Sequence, residues 1–333
     1  MYIGADSWLL MKVIVAENCG FCPGVRNAIS TAEKILAATR LADKRRKHEV
    51  YSLGPIIHNK DVVERLAKAG LKTVNSVDEI PHLLGKSTNK HARKPPKGPS
   101  RCGTVIIRSH GAAPQQLAKL RKKKLNIVDA TCVLVKRVQK IARQLDRDGY
   151  QVVVIGDKNH PEVQAVVGCG RGVVVVADEA DLHKLPKNKK LGIVCQTTQS
   201  PEHFGKMVGA IAAPMYIGGE LKVINTLCKE AIKRQESAVK LCEQVDIMFV
   251  LGGLQSANTC KLAELCKKVN NQTFHLQNWS ELDKILFLGK NTASMCIGVT
   301  AGASTPEWII AEFVENLKAF DAGSPRDSPG RDA

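Results

Sequence analysis

The chain has 333 residues, 44% hydrophobic and 24% charged, with a formal net charge of +17. That length allows two or three domains around well-buried interiors, and no apolar run reaches the roughly 20 residues needed to span a bilayer. Aromatics make up only 4%, which leaves few stacking surfaces for single-stranded nucleic acid.

The basic excess is partly local. "KSTNKHARKPPKGPSR" (86–101) carries six Lys/Arg, three prolines and no acid, and it reads as a disordered insertion. "DKRRKHE" (43–49) is a second basic cluster and reads as a solvated face. Neither points to nucleic acid as the main partner. The start, "MYIGADSWLLMKVIVAE", has no basic n-region and no small-residue cleavage pattern, so no signal peptide is expected. The expected compartment is the cytoplasm.

Strand-like and helix-like runs alternate along the chain. Strands are expected near 13–18, 104–108, 125–129, 151–156, 172–177, 191–195, 222–225, 246–251, 273–276 and 296–300. Amphipathic helices fit between them at 24–39, 59–69, 114–123, 134–148, 202–212, 229–243, 258–269 and 306–319. Many strands are Val/Ile-rich without alternation, as strands buried on both faces should be. The pattern predicts an α/β protein with open parallel or mixed sheets. "APMYIGGE" (213–220) reads as a local loop, and the tail "DAGSPRDSPGRDA" (321–333) as disordered.

Four segments run strand, small polar turn, helix: "TVIIRSHGAAP", "LGIVCQTTQSPE", "MFVLGGLQSANT" and "IGVTAGASTPEW". Ser200-Pro201-Glu202 and Thr305-Pro306-Glu307 read as N-cap, Pro at N1 and an acid in the first turn. Ligands of such folds bind beyond the carboxyl ends of the strands, and helix N-termini there suit an anion. There is no Walker A motif, and "GGLQSAN" lacks the Rossmann spacing.

The count of 11 cysteines is odd, and without an export signal it argues against a disulfide framework. Cys169, Cys242, Cys260 and Cys266 sit in apolar or helical settings and read as small hydrophobes. Cys19 and Cys22 form a CxxC, which alone could be a redox pair, two corners of a zinc site, or a ligand whose partners lie elsewhere. Cys22, Cys132 and Cys228 each follow a strand and open a helix, about one third of the chain apart. A thiolate at a helix start is expected to have a lowered pKa and to be ready for metal. Three such thiolates would suit an iron–sulfur cluster with one open iron, but three unconnected cysteines would show the same spacing. His58, His110 and His160 each lie at a turn leading into a helix, where a histidine is a capping residue, a phosphate donor or a proton carrier. Glu162, two residues past His160, is an acid at a helix start.

The ordered segments "GFCPGV", "HN", "SHG", "DATC", "HPEV", "QTT", "GG…SAN" and "TAGAS" resemble the 4-hydroxy-3-methylbut-2-enyl diphosphate reductase family, from about residue 12 to 318. Each segment is weak alone, and the ordered set is specific. The resemblance implies a trefoil of three α/β domains with a pseudo-threefold arrangement around one [4Fe-4S] cluster. It implies Cys22, Cys132 and Cys228 as the cluster ligands, an apical iron open to the substrate hydroxyl, and Cys19 as a buried bystander. His58, His110 and His160 match the family's substrate-binding histidines. Ser256, Ala257 through its backbone N–H, Asn258 and Ser304 match the diphosphate site. Glu162 matches the proton-delivering acid, with Thr197 and His160 beside it. The implied domains are 24–132 with the basic insertion, 133–224, and 12–23 joined to 225–320. The implied reaction is reductive dehydroxylation of the diphosphate to isopentenyl and dimethylallyl diphosphate, with ferredoxin or flavodoxin as electron donor. Two departures from the family pattern are Val133, where Pro commonly follows "DATC", and Ala257, where a second serine is common.

Overall fold

Strands that are apolar on both faces need cover on both sides. The computed structural model describes residues 11–41, 48–81, 103–186, 190–214, 219–283 and 295–323, and it meets that need with three parallel four-stranded sheets flanked by helices. The expected α/β class is what the protein has. The first third of the chain holds β1 (Lys12–Val15), α1 (Pro23–Leu41), β2 (Glu49–Leu53), α2 (Lys60–Lys68), β3 (Leu71–Val74), β4 (Gly103–Ile107), α3 (Pro114–Lys122) and β5 (Asn126–Asp129). Then come α4 (Val133–Arg147), β6 (Gln151–Ile155), α5 (Pro161–Val167), β7 (Val174–Val176), β8 (Lys190–Cys195), α6 (Pro201–Ala212) and β9 (Glu220–Val223). The last third holds α7 (Lys229–Cys242), β10 (Ile247–Leu251), α8 (Ala257–Val269), β11 (Thr273–Leu276), β12 (Cys296–Ala301) and α9 (Glu307–Gly323).

The described residues form two compact units, one from Cys22 to Lys229 and one from the N-terminal stretch through Phe21 with Glu230 onward. The larger unit contains the sheets β3-β2-β4-β5 and β7-β6-β8-β9, and the smaller contains β1-β12-β10-β11. All three sheets share one winding order. A central strand is followed by a neighbour on one side, and the chain then crosses to the other side. The point where it crosses lies between β2 and β4, between β6 and β8, and between β10 and β12. Loops leaving the carboxyl ends of those strands open the crevice in which α/β sheets bind ligands. The fourth position is taken by β5, β9 and β1.

The period-2 strand geometry sorts each core onto two faces. In β10, Ile247, Phe249 and Leu251 pack with α9 through Phe313, whose ring lies 5.1 Å from that of Phe249. Met248 and Val250 pack on the opposite face with Leu241, Leu262 and Cys266. Tyr51, Leu53, Val105 and Ile107 build one core of the second sheet. Val152, Val154 and Val194 pack with Val138, Ala142 and Leu145 of α4 in the third.

Two strands escape the sequence pattern. β2, EVYSL, breaks its apolar run at Ser52, which is fully buried because its hydroxyl donates to the Gly54 carbonyl at 2.7 Å. β3, LKTV, is an edge strand with exposed Lys72 and Thr73. The expected helix at 306–319 extends to Gly323, into the stretch read as a disordered tail. The basic insertion 86–101, most of the cluster 43–49, residues 215–218 of the predicted loop and residues 324–333 lie outside the described residues. No helix among the described residues is long and apolar enough to cross a membrane.

Candidate active site

The crossing point of each sheet collects the polar residues singled out in the sequence. After β2 and β4 come His58 and His110. The stretch Arg108–Gly111 is a tight turn, closed by the Gly111 N–H donating to the Arg108 carbonyl at 3.0 Å, with Gly111 at φ +80°. After β6, His160 caps α5, its Nδ1 accepting from the Glu162 N–H at 3.3 Å. The three imidazoles meet in the larger unit. Ring centroids of His58 and His110 are 5.1 Å apart, those of His110 and His160 5.1 Å, and those of His58 and His160 6.5 Å.

Burial lowers the pKa of all three rings, and the charge of Arg108 pushes the same way. His110 falls well below the ordinary imidazole value, and His160 falls to about 4. All three are therefore neutral at physiological pH, each offering one N–H donor. One nitrogen from each ring lies within 4.8 Å of those from the other two, close enough to grip a single ion. Arg108 decides the sign: a fixed guanidinium beside the rings opposes a dication and favours an anion. Sequence reasoning quoted the segment that holds Arg108 without singling it out, since a lone Arg in a turn usually reads as surface.

Glu162 is 2% exposed. Thr197, in the loop after β8, donates to it twice: its N–H reaches Oε1 at 2.8 Å and its hydroxyl reaches Oε2 at 2.9 Å. Burial raises the Glu162 pKa, and the two Thr197 bonds pull it back only in part. A carboxyl so placed holds its proton more readily than a surface glutamate, which suits a general acid.

The cysteines follow the fourth-position strands. Cys22, Cys132 and Cys228 immediately precede α1, α4 and α7. The Cys132 N–H donates to the Ser109 carbonyl and the Cys228 N–H to the Thr197 carbonyl, both at 2.9 Å, so two cysteine loops are tied in the same way to the turns carrying His110 and Thr197. Cys22 and Cys132 flank Gly24, where a Cβ would lie 2.9 Å from the Cys132 Sγ and 3.9 Å from the Cys22 Sγ. The lowered thiol pKa expected at a helix start is not found at Cys132. Burial raises it, outweighing donations from the Leu134 and Val135 N–H groups, and Cys22 and Glu162 push it further up.

Cys19 lies in the smaller unit, partly buried against the core around Phe249. Cys169, Cys242 and Cys266 are buried as expected, but Cys260 is exposed on α8. No disulfide links the described cysteines.

In the smaller unit, Ser256 follows β10 and caps α8, accepting from the Thr259 N–H at 3.4 Å. Ser304 follows β12, and its hydroxyl lies 3.4 Å from that of Ser256. Ala257 and Asn258 form the first turn of α8. The Asn258 Nδ2 is buried and has no hydrogen-bond partner among the described residues. Gly302 makes room for this cluster: a Cβ there would lie 1.9 Å from the Thr259 Oγ1. Two hydroxyls, an orphaned amide donor and a helix start make a cradle for an anion.

Residues 13–318 match the family model described as LytB protein. A protein of Citrifermentans bemidjiense named 4-hydroxy-3-methylbut-2-enyl diphosphate reductase is 41% identical over 312 residues, 93% of this chain and 98% of that protein. Its namesake in Geobacter sulfurreducens is 39% identical with the same coverage. Among solved structures, (E)-4-hydroxy-3-methyl-but-2-enyl diphosphate reductase, described as the terminal enzyme of the non-mevalonate pathway, shares 38% identity with a TM-score of 0.61, covering 93% of this chain and 100% of that one. The Plasmodium falciparum structure of E-1-hydroxy-2-methyl-but-2-enyl-4-diphosphate reductase has a TM-score of 0.77 at 28% identity, covering 92% of this chain and 88% of that one. This chain belongs to the LytB family.

Proposed function

We propose that the protein reduces (E)-4-hydroxy-3-methylbut-2-enyl diphosphate, with two electrons and two protons, to isopentenyl or dimethylallyl diphosphate and water. The observation that carries this reading is the buried Glu162 carboxyl, held by two Thr197 bonds beside the neutral histidine cluster. A site that only sensed or stored a metal would have no use for a positioned acid.

Cys22, Cys132 and Cys228 would hold one [4Fe-4S] cluster. The donor set fits: the three thiols carry no disulfide, and Gly24 leaves space between two of the sulfurs. When bound, the cluster would supply the electrons one at a time, with an open iron as Lewis acid for the hydroxyl. The chain's own residues would do the rest. His58, His110 and His160 would donate neutral N–H groups to the substrate. Ser256, Ser304, the Asn258 amide and the Ala257 N–H would bind the diphosphate. Loss of the second serine hydroxyl at Ala257 leaves that backbone donor available. Glu162, oriented by Thr197 and adjoining the capping His160, would deliver the proton that turns the departing hydroxyl into water. Protonation of the allylic fragment at either end gives the two products.

The same reading divides the chain into three α/β domains, 24–132, 133–224, and 12–23 with 225–320. Three sheets of one winding order, each with its own core, support that division. Ferredoxin or flavodoxin is the proposed donor and the cytoplasm the proposed compartment.

The test is anaerobic turnover of the diphosphate with a one-electron dye as donor, comparing wild type with Glu162→Gln and assaying iron and sulfide in both. Turnover in the wild type and a large loss in the variant at equal cluster content are expected. A fully loaded wild type that releases neither product overturns the reading.

A further inference from the structure

A second feature lies at the crossing point between β2 and β4. A cavity of about 200 Å3 opens beyond the strand ends, lined there by Gly54, Asn75 and Arg108 and on its far walls by Gln116 of α3 and Pro161 and Gln164 of α5. None of its lining residues is acidic, and none is a residue assigned above to the substrate or the cysteine centre.

Arg108 is the only charged residue among them. It is half-buried, and it has no ion pair and no hydrogen bond from its guanidinium among the described residues. Burial alone moves its pKa, downward, with no carboxylate pulling it back. The guanidinium lies flat over Gly54, where a Cβ would stand 2.5 Å from Nη1 and 2.6 Å from Cζ. Gly54 itself is at φ +77°, so both backbone shape and space at that position require glycine. The guanidinium is thus seated, partly dehydrated and uncompensated, which is costly unless an anion completes it. Around it are amides. The Gln116 Oε1 accepts from the Ala113 N–H at 3.0 Å, which leaves its Nε2 as a donor side.

Size narrows the ligand. Pockets for drug-sized molecules run to about 300–1,000 Å3, so this cavity suits a phosphate or diphosphate group but not a nucleotide. A guanidinium fork matches phosphoryl oxygens in a bidentate way.

We propose that this cavity is a second oxyanion site, taking inorganic phosphate or diphosphate on the Arg108 fork with Asn75 and Gln116 as amide donors. The Arg108 guanidinium also adjoins the histidine rings, but no histidine lines this cavity, and its occupancy needs no turnover.

Calorimetric titration of the full-length protein, purified anaerobically, tests this at low ionic strength. It is run in an Asn258→Ala background, which removes a donor assigned to the substrate's diphosphate. Inorganic phosphate and inorganic diphosphate are titrated separately, and the tighter of the two identifies the source of the oxyanion. Binding is expected to persist in Asn258→Ala and to weaken at least tenfold when Arg108→Gln is added. Gln164→Glu, an exposed change on α5 that brings a carboxylate to the cavity wall, is expected to weaken it likewise, and it covers the case in which Arg108→Gln fails to fold. Loss of all binding in Asn258→Ala alone overturns the proposal. So does unchanged affinity in either cavity variant. Failure here leaves the reductase reading standing, since that reading is decided by turnover.

Discussion

Thr197 satisfies both oxygens of Glu162, one with its N–H at 2.8 Å and one with its hydroxyl at 2.9 Å. The bonds join the loop leaving β8 to the first turn of α5, which follows β6, across the crossing point of that sheet. The Thr197 carbonyl also accepts from the Cys228 N–H, so one residue ties the acid to a candidate cluster ligand.

Thr197→Val keeps the shape and the backbone bond but removes the hydroxyl. A hydrogen bond to a charged group is worth about 1.5–3 kcal/mol, roughly 10- to 100-fold in rate if it is used in the transition state. The expected result is a drop of that size in anaerobic kcat at unchanged iron content, with Thr197→Ser close to wild type. Equal rates for Val and wild type would remove Thr197 from the proton path.

Glu162 also predicts a pH signature in stability. Its pKa is raised on folding, so its contribution to stability is complete below the unfolded value and is lost as pH rises through the folded one. Gln carries no such cost. Thermal melts of wild type and Glu162→Gln should therefore nearly coincide at about pH 4, and the variant should gain on the wild type as pH rises toward 8. A wild-type advantage growing with pH would mean that the carboxylate is stabilised rather than penalised.

The histidine cluster predicts the opposite slope. His160 falls from 6.5 to about 4, and His58 and His110 are also lowered. Their neutral forms favour the folded state, so this stability is present above the unfolded pKa and is lost as pH falls through the folded values. Urea midpoints should fall steadily from about pH 6.5 to pH 4, and His160→Asn should flatten that fall. A diphosphate docked on these rings would also raise their pKa. Its binding should take up protons, seen as a calorimetric enthalpy that depends on the buffer's ionisation enthalpy. No buffer dependence would place the anion away from the rings.

Much of this site was legible in the sequence, and the reasons are local. Cys22, Cys132 and Cys228 each stand between a strand and a helix, a position visible in hydrophobic periodicity. His160-Pro161-Glu162 reads as a helix start from its residue types alone, and His160 does cap α5. The contact between Glu162 and Thr197 was not legible without the family resemblance, because it joins residues 35 apart through a loop crossing. Arg108 was missed because its significance, a half-buried guanidinium with no ion pair among the described residues, arises only from the folded structure. β2 was missed because Ser52 interrupts an apolar run, and a local hydrogen bond from its hydroxyl to the Gly54 carbonyl lets it be buried all the same.

Gly24 gives the sharpest packing prediction. A Cβ at this position in α1 would stand 2.9 Å from the Cys132 Sγ and 3.3 Å from its Cβ. Neither atom can swing away while the sulfur serves as a ligand. Overpacking of this kind costs about 1–3 kcal/mol, and here the strain falls on the sulfur itself. Gly24→Ala should therefore fold but load less iron and sulfide, with weaker visible absorbance and turnover reduced in proportion to cluster content. Gly205 in α6 is the matched control, since a Cβ there meets nothing within 4 Å. Gly205→Ala should load fully and gain about 0.5–1 kcal/mol from the restricted unfolded chain. Full cluster content in Gly24→Ala would mean that the Cys132 sulfur leaves its present position on loading, and that the narrow gap beside Gly24 is not part of the ligand geometry.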